Sequence, residues 1–308
     1  MATFSNDRAL SEVVGFVLLL GVLVAAVSLW MTFVVPSEGR QNEITQMDAV
    51  KDRFTDYKIS LDSLWLNNQS GITVSTSFNL GSSGGNTQAS GLFLPLLQPQ
   101  ASSATLSVIT DGDTLTVRSS SDPAGMAIPM NRLEYLSANR YWIQQRYYYQ
   151  LGGVFLAQDD GTAARLSPSL SIVNNSDNTV AVYLVPVQVT GGGSIGGNGP
   201  VRVDSRLRPL RNPTVYQINS FVNISAHVAD RATALTWMNA VFNASRTRGG
   251  LTNPGYYRYA VVEDPVTKRA TAYINITGPY EGTAGDVYLT LRPAEYVVTL
   301  NTISSGLT

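Results

Sequence analysis

VVGFVLLLGVLVAAVSLWMTFVV, residues 13–35, decides the shape of this chain. It holds no charged residue, and at 1.5 Å per residue its roughly 23 positions reach about 35 Å as a helix. That crosses a hydrocarbon core of about 30 Å with room for tilt. Leu, Phe and Val each favour the bilayer centre by about 0.3 to 0.6 kcal/mol. A cleavable secretory signal has an apolar core of about 7–15 residues with a small-x-small site behind it; this run is longer and ends Trp30-Met-Thr-Phe-Val-Val-Pro36. A buried helix of a soluble protein needs a polar stripe or a much larger core around it. The expectation is a membrane helix over 9–36 that carries one large head in water.

Downstream, Ile44, Met47, Val50, Phe54, Tyr57, Leu61 and Leu64 recur at helical spacing and predict an amphipathic continuation over 37–68. Glu43, Asp48, Lys51, Asp52, Arg53 and Asp56 are read as its polar side. Pro36 lacks an amide and crowds the preceding turn, so a kink or brief break is expected there. The apolar stripe is read as packing on the head.

The rest, 71–308, reads as a mainly-β, sandwich-like head. Period-two or β-branched runs fall at 72–80, 105–109, 114–118, 141–149, 169–173, 179–189, 257–262, 271–277, 287–291 and 296–300. Asp111-Gly-Asp113, Asp159-Asp-Gly161, the 175–178 stretch, Gly278-Pro279 and Glu281-Gly282 supply turns. One short helix is expected over about 230–244, with Asp230 as cap and Ala234, Trp237, Met238, Val241 and Phe242 on its apolar side. Two subdomains divided near 191–199 are one possible arrangement, and the glycines there read as a hairpin loop. Tyr141-Trp-Ile-Gln-Gln-Arg-Tyr-Tyr-Tyr149 reads as a central strand covered on both faces; an aromatic platform for sugars or a neighbouring subunit is the functional alternative.

Upstream of the apolar run, the leader ends Asn6-Asp-Arg8 and is followed by Ala9-Leu-Ser-Glu-Val-Val-Gly15-Phe16. This resembles the class III signal of archaeal type IV pilins and archaellin-like proteins. The resemblance covers about 30 residues. It implies cutting by a prepilin-type signal peptidase between Arg8 and Ala9, removing residues 1–8 and leaving the apolar helix on the mature protein. It further implies that Glu12, Val13, Gly15, Phe16, Leu19, Trp30 and Pro36 belong to a helix that is held in lipid and then buried among copies of itself or other pilin-like subunits. Glu12 would be fourth in the mature chain, where bacterial pilins place their glutamate fifth. It meets either the Ala9 amine of its own or an adjacent subunit, or the hydrated headgroup level. The expected role is a structural subunit, minor or large-headed, of an archaeal type IV pilus-like filament. The alternative is a non-polymerising, single-pass surface or adhesion protein. Arg8 places the N-terminus in the cytoplasm and the head outside.

Charged residues make up 14% of the 308 and the net charge is −1, which leaves no electrostatic footprint for nucleic acid. Without cysteine there is neither a disulfide framework nor a thiolate metal site. The one histidine, His227, has no Gly-x-Ser-x-Gly elbow to serve and reads as a packing residue, so no enzyme activity and no cofactor are expected. Asp111 and Asp113 read as turn residues rather than metal ligands. Five sequons, at Asn68, Asn174, Asn223, Asn243 and Asn275, permit N-glycosylation, with Asn68 and Asn243 expected to be the most exposed.

Overall fold

The computed structural model describes residues 6–82, 98–177, 179–209, 215–279 and 286–302, with side chains from Glu12 onward except that of Val215. The leader residues 1–5 and the Glu281-Gly282 corner lie outside these. Helix α1 (Asn6–Leu29) runs through a π turn (Trp30–Val34) into α2 (Val35–Leu66). Pro36 occupies the first turn of α2 and offers no amide to the carbonyl of Thr32. The helix widens just before it, where Val35 N–H donates to the carbonyl of Trp30. Leu29, Val34 and Val35 all keep right-handed helical dihedrals. The proline therefore produces a π turn within a continuing helix, as expected where an i→i−4 bond is lost.

On α2 the buried positions are Val35, Gly39, Glu43, Met47, Val50, Phe54, Tyr57, Leu61 and Leu64. This corrects the sequence reading at one point. Ile44 is only half-buried, and Glu43 takes its place on the stripe. The stripe packs into a core with the head: Phe54 lies 5.0 Å from Phe78 and Tyr57 lies edge-on to Tyr149 at 5.2 Å, ring centre to ring centre.

The sequence reading expects a sandwich-like head; the strands divide among four sheets. The first contains β1 (Thr73–Asn79), β13 (Pro200–Leu207), β19 (Ala294–Thr302) and β11 (Val187–Gly192), in that order. The second runs β12 (Ser194–Gly197), β2 (Ser103–Ile109), β5 (Arg132–Ala138), β6 (Arg146–Gln150), β7 (Gly153–Gln158) and β8 (Gly161–Leu166). The third runs β16 (Tyr257–Glu263), β17 (Ala270–Ile276), β15 (Val222–Val228), β3 (Thr114–Ser119) and β4 (Met126–Pro129). The fourth runs β14 (Val215–Asn219), β18 (Val287–Leu291), β10 (Val180–Val185) and β9 (Ser169–Asn174).

Two hydrophobic cores meet at β6 and β7. Tyr147, Tyr149, Val154 and Leu156 face the core shared with α2 and the first sheet. Tyr148, Phe155 and Ala157 face the core built from the third and fourth sheets and Trp237. Alternation along a strand sends neighbouring side chains to opposite faces, so Tyr147-Tyr-Tyr149 feeds both cores at once. The strand begins only at Arg146, and the 141–145 part of the expected strand is loop.

The 179–189 run breaks at Pro186, so β10 joins the fourth sheet and β11 the first. Pro293 splits β18 from β19 in the same way. The pairs β10–β18 and β11–β19 are both parallel, and across the break Arg292 N–H donates to Leu184 O at 3.0 Å and Ala294 N–H to Pro186 O at 3.1 Å. The prolines terminate ladder bonding that they cannot continue, which turns the paired strands together from one sheet into the next. The glycines of 191–199 are not a free loop: Gly191 and Gly192 end β11, and 194–197 pair with β2. Gly191 has φ +146°, and a Cβ there would lie 2.2 Å from Val298 O. The helix near 230 is composite: α3 (Arg231–Thr236), a π turn (Trp237–Asn243) and α4 (Ala244–Arg248). Asp230 caps it through Thr233 N–H at 2.8 Å.

Candidate membrane and assembly helix

Among the described residues, one helix is long and apolar enough to cross a membrane, Glu12–Leu66. From Glu12 through Phe33 every residue is exposed, with Val22 and Phe33 each at 68%. Burial starts at Val35. The head thus covers the amphipathic half of the helix and leaves the apolar half bare. Transfer of a Val, Leu or Phe side chain out of water is worth about 1.5–3 kcal/mol, so so many exposed together require lipid or protein around them.

The two hydroxyls of this run are satisfied within the helix. Ser28 Oγ donates to Val24 O at 2.8 Å, and Thr32 Oγ1 donates to Ser28 O at 2.8 Å. Hydroxyls bonded back to the preceding turn suit an apolar surrounding. At Gly15 and Gly21 an added Cβ would meet nothing within 4 Å. Within this molecule neither glycine is required by packing.

The helix is joined to the head by a clasp that the sequence reading missed. Glu43 is 1% exposed. Its Oε1 accepts Arg140 N–H at 2.7 Å, and its Oε2 accepts Tyr141 N–H at 2.8 Å and Trp142 N–H at 2.7 Å. Three successive amides converging on one carboxylate form an anion nest, and charge-assisted bonds of this length are the stronger kind. One turn earlier, the Tyr141 ring lies flat enough on Gly39 that a Cβ would approach its Cδ2 to 2.4 Å. The Arg40 guanidinium sits 4.2 Å from the Trp142 ring centre. Asn139 Nδ2 bonds Ile143 O at 2.8 Å and Gln144 Nε2 bonds Asn139 O at 2.6 Å, which closes the loop on itself. The sequence signal for Glu43 was its period: it stands four residues from Gly39 and four from Met47 on the buried stripe. Its charge argued the other way.

The predicted site residues divide as follows. Arg8 and Ala9 lie in the backbone of α1, with side chains outside the described residues. Glu12, Val13, Gly15, Phe16, Leu19 and Trp30 fall on the exposed run, and Pro36 at its junction with the clasped part. Of the sequon asparagines, Asn68 (φ +52°) and Asn174 are exposed at element ends. Asn223 and Asn275 are half-buried partners across β15 and β17. Asn243 is also half-buried, with Oδ1 enclosed, contrary to the expected exposure.

Asp111 and Asp113 both meet arginines. Asp111 pairs with Arg132, and Asp113 with Arg269 at 2.7 Å. Burial pushes the Asp113 carboxyl above the usual range, with Asp111 adding to it and the arginines pulling back. His227 Nε2 accepts Arg269 Nε at 3.0 Å, which requires its lone pair, so Nδ1 carries the proton that bonds Thr271 Oγ1 at 2.9 Å. Both ring nitrogens are thereby engaged in joining β15 to the Arg269 segment.

No protein-family model, curated protein or solved structure matches this chain.

Proposed function

We propose that this chain is a structural subunit, minor or large-headed, of an archaeal type IV pilus-like surface filament, anchored and then polymerised through its N-terminal helix. The carrying observation is the division of that helix at Val35: apolar and bare before it, clasped to the head after it. The resemblance of 9–15 to a class III signal supplies the processing step, a cut between Arg8 and Ala9. The bare half serves as lipid anchor before assembly and as filament core afterwards. Gly15 and Gly21, open to solvent in the single chain, offer places where neighbouring helices approach closely. The head, whose 71–308 span carries 16 Lys and Arg against 14 Asp and Glu and a hydroxyl-rich surface, faces outward.

A second reading has its own support. The exposed run already matches a bilayer in length, so anchoring needs no copies, and a non-polymerising surface protein retains the same helix. Electron microscopy of sheared surface fractions separates the two. The filament reading expects the protein in filaments labelled along or at the tip; recovery only from detergent-extracted membranes overturns it in favour of the anchored protein.

A further inference from the structure

The outer face of the fourth sheet carries rows of side chains set by register. One row crosses the sheet as Ser171, Tyr183, Thr290 and Tyr216, and the next as Val173, Ala181, Tyr288 and Ile218. Tyr183 is 51% and Tyr216 64% exposed, and the Tyr216 and Tyr288 rings lie 6.3 Å apart at 31°. Neither row contains a charge. The face is a hydroxylated plane with three tyrosine rings on it.

At the β9 edge the plane runs into an open groove of about 860 Å³ between α2, β8 and α4. Tyr183 lines both. The groove wall includes Lys58, Arg165 and Arg248 and no acidic residue. Lys58 is neutralised by Asp62 at 2.7 Å. Arg165 and Arg248 are exposed, and Arg248 Nε donates to a backbone carbonyl, Ala244 O, at 3.3 Å. Among the described residues neither arginine forms an ion pair with a carboxylate. Ser169 and Ser171 add hydroxyls to the same wall.

We propose that this face and groove form a binding site for an acidic oligosaccharide, one whose sugar rings carry carboxylate or sulfate groups. The C–H face of a pyranose stacks on an exposed tyrosine ring, and its hydroxyls pair with Ser and Thr hydroxyls as an apolar wall would not allow. The anionic substituents are met by Arg165 and Arg248, whose planar forks suit carboxylate and sulfate alike. The groove volume falls within the range of about 300–1,000 Å³ typical of small-ligand clefts. Lipid headgroups of the anchoring membrane are out of reach, because Lys58 lies 23 helical residues, about 35 Å, beyond Val35. The site is independent of whether the helix polymerises.

The test uses the full chain in detergent micelles, titrated with oligogalacturonate and with a sulfated oligosaccharide, against a neutral maltooligosaccharide and inorganic polyphosphate. The expected result is saturable binding of at least one acidic oligosaccharide, weakened about tenfold or more by R165Q/R248Q and by Y183S/Y216S, with both variants keeping the parent melting temperature. The four side chains are exposed, so either pair alone suffices should the other disturb folding. Binding of neither acidic sugar overturns the proposal, as does binding indifferent to both pairs. Equal capture of polyphosphate with loss only on R165Q/R248Q also overturns it, by revealing an unselective polyanion patch.

Discussion

Glu43 Oε2 accepts the amide of Trp142 at 2.7 Å across 99 residues of sequence. That bond, with its two neighbours to Arg140 and Tyr141, ties the helix to the head just beyond the bare apolar run. A carboxylate so buried is tolerable only because backbone donors surround it, and removing it strands three amides. Glu43→Ala is expected to destabilise the head by about 3 kcal/mol. Unfolding of the full chain in detergent measures this, and hydrogen exchange should show the 140–142 amides losing protection first. Unchanged stability contradicts the clasp.

Gly39 makes the same joint by lacking a side chain. A Cβ there would come within 2.4–2.7 Å of the Tyr141 ring. Gly39→Val should cost about 1–3 kcal/mol by displacing that ring. The penalty should shrink in a Tyr141→Ala background, where the clash is absent; a double-mutant cycle reads the difference.

Leu19 lies on the exposed run at 61%, with no head residue over it. Leu19→Arg puts a charge near the bilayer centre at a cost of about 2.5–3.5 kcal/mol. Membrane fractionation should show lost insertion, while the protease-resistant head persists. A variant that inserts and assembles normally counts against a lipid-facing or core-facing Leu19.

Much of this was legible in the sequence. The 13–35 run, the Phe54–Tyr57–Leu61 stripe, the Asp230 cap and the Tyr147–Tyr149 alternation all follow from period and chemistry, because each is decided by local spacing. What stayed hidden depends on contacts distant in sequence. Glu43 reads as a solvent residue until the 140–142 amides meet it. Pro186 and Pro293 mark sheet changes only once β10–β18 and β11–β19 are seen side by side. β13 escaped because Ser205 stands at one of its buried positions among Arg202, Asp204 and Arg206, whereas β15, whose Val222, Ile224, Ala226 and Val228 alternate cleanly, was overlooked, as were β4, β5, β7, β8, β12 and β14. The glycines of 191–199 read as a loop because their pairing with β2 and β19 lies far along the chain.

Alkaline pH tests the tyrosine core. Burial pushes the phenols of Tyr57, Tyr148, Tyr149 and Tyr296 well above the ordinary value. Their folded pKa values exceed the unfolded ones, so the native state holds more protons than the unfolded chain once pH passes about 10. Stability is complete below that point and falls as pH climbs through the tyrosine range. Denaturant midpoints should drop steadily above about pH 10, with tyrosinate absorbance appearing together with unfolding. Titration of these phenols in a still-folded head contradicts their burial.

N-terminal sequencing of native protein from sheared surface filaments tests the central claim most directly. The account predicts a chain that begins at Ala9 and carries the whole apolar run into the filament. A chain that begins beyond Val35 contradicts it, since the segment that anchors and joins the subunits is then missing from the finished structure.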